Sequence, residues 1–209
     1  MKPTKYILQQ SVFIAGLLFL LACRHESPAT QEKSAHTNAT EKAAKAGQFS
    51  FYKDIEVKPG MHFEIISWGK GVDSVGGYQI LMSDSTKNNF RSLAVEREGV
   101  ITDVWNMDLD NDGNPELYIE LLSKQNVKDL QVYEYQNNSF NKINFPPLSA
   151  RAKKNYAGGD KFFIKNGDLF RTYPYIADSS DTTAVKGALK TLVYQLRGNS
   201  FSVDEIKVD

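Results

Sequence analysis

The chain has 209 residues, with 25 basic against 25 acidic side chains, one cysteine and three histidines. So even a charge balance gives no reason to expect a nucleic-acid partner. One cysteine allows no disulfide within the chain, and three scattered histidines, His25, His36 and His62, leave little from which to build a multi-histidine zinc site or a Ser-His-Asp triad.

In chain order, Lys2 and Lys5 precede an apolar run from Val12 to Ala22. The run is too short to span a bilayer and suits the core of a signal peptide. It ends Leu20-Leu21-Ala22-Cys23, which resembles the lipobox of bacterial lipoproteins. That resemblance implies cleavage before Cys23 and a lipid on its thiol. Arg24 follows the cysteine where an Asp tends to hold such proteins in the inner membrane, so the resemblance implies the outer membrane. Residues 1–22 are therefore expected to be signal peptide. Removing them takes away Lys2 and Lys5 and no acid, which leaves a slight acidic excess. Residues 23–48 hold Ser, Thr, Ala, Glu and Lys with no large apolar side chain, the composition of a flexible tether.

Residues 49–209 read as one domain, long enough to bury roughly 70% of its unfolded surface. The pattern predicts short strands separated by turns. Phe49 to Val57 opens the series, Pro59-Gly60 turns, and Met61, Phe63 and Ile65 alternate with polar neighbours. Further strands are expected at Tyr78–Met82, Phe90–Arg97, Val100–Met107, Leu117–Leu121, Leu130–Gln136 and Phe140–Phe145. Ser149 to Tyr156 suits a short helix or a basic loop. Asn166-Gly167 is a strong hairpin signal between Lys161–Lys165 and Asp168–Tyr173, and Ala177 to Thr183 is an acidic loop. Leu189–Arg197 and Phe201–Val208 form a closing hairpin. Many short strands at this spacing predict an all-β antiparallel sandwich.

One stretch stands out. Between two of these strands, Asp108, Asp110, Asp112, Asn114 and Glu116 fall at every second position, with Gly113 where a sharp turn needs positive φ. Alternate oxygens of this kind can wrap a hard cation such as calcium. The stretch is not an EF-hand, because its twelfth position is Ile119 and its flanks are strands. It is similar to the calcium loops of β-propeller and adhesion repeats, but here it occurs once. The other reading is a solvated turn held by Asp and Asn bonding to their own backbone. Both fit the spacing, and the turn is the expectation.

Several segments together resemble the periplasmic inhibitors of invertebrate-type lysozyme. They are Glu98-Gly99-Val100-Ile101, the Asp108–Leu117 stretch, Tyr156-Ala157-Gly158-Gly159-Asp160-Lys161-Phe162, and Leu169-Phe170-Arg171-Thr172-Tyr173-Pro174-Tyr175. The resemblance covers about Glu98 to Leu196. It implies a β-sandwich that blocks a glycosidase by pushing a loop into its cleft. In that family the loop carries Ser-Gly-x-x-Tyr. Here Ser123-Lys124-Gln125-Asn126-Val127-Lys128-Asp129 has one serine, no glycine and no tyrosine, so the inhibitory residues do not carry over.

Two functions follow as expectations. The first is a lipid-anchored envelope protein that inhibits a lysozyme-like glycosidase. Its donors would be Ser123, Lys124, Gln125, Asn126 and Lys128, with Arg171 and Tyr173 from the Leu169–Tyr175 segment. The second is a calcium-stabilised surface module that binds glycan or protein. An enzyme is not expected. Asp108 and Asp110 sit two apart on one acidic turn, and no nucleophile motif or phosphate loop accompanies them.

Overall fold

The computed structural model describes residues 49–176 and 188–206. The expected signal peptide, Cys23, the tether and the acidic Ala177–Thr183 loop lie outside the described residues. Twelve strands and one short helix form among the described residues. The first sheet holds β1 (Phe51–Lys58), β2 (Met61–Trp68), β3 (Gly77–Asp84) and β4 (Asn89–Glu96). The second holds β5 (Val100–Met107), β6 (Glu116–Leu122), β7 (Lys128–Gln136) and β8 (Ser139–Ile143). After α1 (Ala150–Lys154) come β9 (Lys161–Lys165), β10 (Asp168–Pro174), β11 (Leu189–Leu196) and β12 (Phe201–Ile206). Each sheet is an antiparallel meander in which every strand pairs with its neighbour in sequence.

The turns explain the strand ends. Asn137-Asn138 and Asn166-Gly167 each put two consecutive residues at positive φ, between +52° and +82°. That is the tight two-residue geometry whose twist matches flanking strands, and Asn and Gly adopt it with least strain. Ser149 caps α1 by accepting from the Ala152 N–H at 3.2 Å.

The fold is all-β and antiparallel, as expected, but it has three layers. Phe63, Ile65, Tyr78 and Ile80 of the first sheet pack on Val104, Leu117, Ile119 and Tyr133 of the second. Tyr118, Leu130, Val132 and Ile143, from the other face of that second sheet, pack on Leu169, Tyr173, Leu192 and Tyr194 of the third. The second sheet is therefore covered on both sides. Glu116 through Leu121 are all buried. The alternation of Leu117, Ile119 and Leu121 with Tyr118 and Glu120 marks two buried faces, not one core face and one wet face.

Arg97 fixes the passage from the first sheet to the second. It is buried, and it donates to the carbonyl oxygens of Trp68 (3.0 Å), Gly71 and Gly99. Its charge thus meets backbone dipoles of the glycine-rich loop.

Candidate functional site

Residues 108–115 link β5 to β6. Asp108 closes the loop on itself: its two carboxylate oxygens accept from the N–H groups of Asp112 and Gly113, each at 3.0 Å. Asp112 in turn accepts from the Asn114 backbone N–H at 2.8 Å and from its side-chain amide at 2.9 Å. Asn111 and Gly113 take positive φ, +59° and +88°. A side chain on Gly113 would meet nothing within 4 Å, so backbone conformation and not space selects the glycine. Leu109 is buried and anchors the loop in the second core.

Glu116 ends the loop inside the protein. It is fully buried, and its Oε2 accepts from the Leu109 N–H at 2.7 Å and the Tyr118 hydroxyl at 3.3 Å. Its Oε1 has no partner, and neither does the buried Oδ1 of Asp110. One carboxylate oxygen from each of Asp108, Asp110, Asp112 and Glu116 lies within 4.8 Å of the others. Burial is the main reason the Glu116 acid is pushed up to about 7. The Leu109 N–H pulls it down, and Asp110 and Asp108 push it further up.

Glu134 pairs with Glu116 across β6 and β7, so both side chains share one face of the sheet. Glu134 is buried too, with an orphaned Oε2. Burial raises its pKa, and repulsion from Asp112, Asp110 and Asp108 adds to the rise. Its only signal in the sequence is a carboxylate between Tyr133 and Tyr135. Asn114 donates its side-chain amide to Asp112, which holds it beside the four carboxylates.

The second candidate is the β6–β7 loop. Lys124, Gln125 and Asn126 are exposed at its tip. Ser123 sits at the base, where its N–H donates to the Val127 carbonyl at 2.9 Å and its hydroxyl accepts from the Val127 N–H at 3.3 Å. Asn126 takes φ +56°, and its carbonyl accepts from the Tyr156 hydroxyl at 3.2 Å. Lys124 reaches exposed Asp73 at 2.6 Å. A groove of about 660 Å³ runs beside the loop, lined in part by Gln125, Val127, Asp129, Lys142, Lys153 and Tyr156.

Of the residues expected to face a partner, two are withdrawn into the interior and a third is held in an ion pair. Lys128 is half-buried and paired with Glu120 at 2.7 Å. Arg171 and Tyr173 are fully buried. Along β10, Leu169, Arg171 and Tyr173 are the inward positions of a strict alternation. Arg171 pairs through Nε with Oδ1 of equally buried Asp160 at 2.6 Å, donates to the Lys128 carbonyl, and lies 5.2 Å over the Phe162 ring. Asp160 also accepts from the Lys128 N–H at 3.1 Å and from the Tyr156 hydroxyl. This brace under the loop was missed from sequence. Its one signal was the Tyr156–Asp160 segment.

The chain matches no family model and no curated protein.

Proposed function

We propose that this is a lipid-anchored protein of the bacterial cell envelope that binds and blocks a lysozyme-like glycosidase through the tip of the β6–β7 loop. The observation that carries the reading is a polar tip on a fixed base. Lys124, Gln125 and Asn126 are exposed, while Tyr156, Asp160 and Arg171 hold the backbone beneath them. A loop already held in shape loses less freedom on docking. Glycosidases of this kind work with two acidic side chains in a cleft. Amine and amide donors complement such acids. The Lys124–Asp73 pair is exposed on both sides, and pairs of that kind are weak enough to exchange for a partner's carboxylate.

The test adds the purified full chain, in detergent, to invertebrate-type, chicken-type and goose-type lysozymes and follows cell-wall lysis. Lysis by the invertebrate type is expected to slow, and Lys124→Ala together with Gln125→Ala to weaken the effect about tenfold or more. Failure to slow any of the three at roughly micromolar protein, a modest affinity for a specific complex, overturns the reading.

The anchor is tested apart from the partner. Labelled fatty acid is expected to enter the wild-type chain in bacterial cells and not Cys23→Ala. Equal labelling of both would remove the lipid from the proposal and leave the loop untouched.

A further inference from the structure

We propose that the loop between β5 and β6 is a calcium site, with Asp108, Asp110, Asp112 and Glu116 around one ion. The proposal goes beyond the glycosidase reading and does not depend on it. The four carboxylates approach within 4.8 Å of one another. Oxygens at that spacing can all touch a single ion whose ligands sit at about 2.3–2.6 Å.

Proximity of acids alone would be a weak argument, since a turn accounts for part of it. Asp108 and Asp112 are occupied with backbone N–H groups, as a turn requires. A turn does not account for Glu116. Its carboxylate is fully buried beside the aspartates, and Oε1 receives no hydrogen bond. Oδ1 of Asp110 is orphaned in the same way, and so is Oε2 of Glu134, which faces Glu116 across the sheet. Buried acceptors without a donor are rare in native folds and ask for a missing partner.

No side chain among the described residues supplies one. Lys58 reaches the loop, but its ammonium donates to the Gly113 carbonyl at 2.8 Å. A cation held among the four carboxylates would partner the orphaned oxygens of Glu116 and Asp110 and offset the charge that Glu134 faces. The donors are all oxygen, which selects a hard ion. Magnesium demands a near-ideal octahedron and keeps its waters, whereas calcium accepts many carboxylates in flexible geometry.

The experiment strips the full chain with EDTA and titrates it calorimetrically with CaCl2, then with MgCl2. One-to-one saturable calcium binding tighter than about 1 mM is expected. At roughly a hundredfold excess over Kd the melting temperature should rise by about 5 °C or more. Asp110 is half-buried and Asp110→Asn keeps its shape, so the variant should fold normally while weakening calcium binding at least about tenfold. Glu116→Gln should do the same, yet melt in EDTA no lower than wild type, because it removes a buried charge. Three outcomes each overturn the proposal: no calcium heat up to about 10 mM, binding unchanged in Asp110→Asn, or magnesium bound as tightly as calcium.

Discussion

Replacing Arg171 by alanine is expected to destabilise the protein by about 3–5 kcal/mol, the scale for breaking one side of a buried ion pair. Arg171 and Asp160 both have fully buried side chains, so deletion strands a carboxylate in the interior. The Lys128 carbonyl loses its guanidinium donor and the Phe162 ring its cation. For a domain of this size the melting temperature should fall by roughly 6–20 °C. The second arm removes both charges. Arg171→Met with Asp160→Leu should recover much of the loss, because a buried pair is held at a desolvation penalty that apolar side chains avoid. Urea melts of the wild type, both single variants and the double variant give the coupling energy. A loss under about 1 kcal/mol in Arg171→Ala would mean that the pair is wet and the loop base is not held as described.

Phe63→Ala is expected to cost a further large amount, about 3–5 kcal/mol. Phe63 is fully buried between the first and second sheets, with edge contacts to Tyr135 at 5.7 Å and Phe140 at 5.3 Å. Phe90 provides the control. It lies on an equally regular strand but is 77% exposed, so Phe90→Ala should change stability by no more than about 0.5 kcal/mol. Similar losses at the two positions, measured by denaturant unfolding, would contradict the assignment of the core to the inner faces of β2 and β3.

Strand positions were legible because turns are local. Pro59-Gly60, Asn137-Asn138 and Asn166-Gly167 each announce a reversal through backbone chemistry confined to two residues. The number of layers was not legible. Glu116, Glu120 and Glu134 look like solvent-facing residues, since carboxylates seldom lie buried unless paired. They lie on the face of β6 and β7 whose Tyr118, Leu130 and Val132 pack on a third sheet, and the strands of that sheet begin at Lys161, far along the chain. Arg171 misled for the same reason. Its partner Asp160 belongs to a separate segment before the hairpin, and only the packed structure joins them. The acidic loop is legible in its spacing, but spacing says nothing of the orphaned oxygens. They became visible only with the pairing of Glu116 and Glu134 across β6 and β7.

The three meanders carry a kinetic consequence. Because each strand pairs with the one just before it, every sheet closes short loops, and such local pairing favours fast formation over slow long-range search. The layers can then assemble in the order in which the chain is made. The first two sheets can dock as soon as β8 is complete, leaving Tyr118, Leu130, Val132 and Ile143 bare until β9 to β12 arrive. That waiting period exposes an apolar sheet face, the condition under which partly folded chains stick to one another. Strands β9 to β12 therefore act as a built-in cover, and folding yield should depend on how quickly they follow.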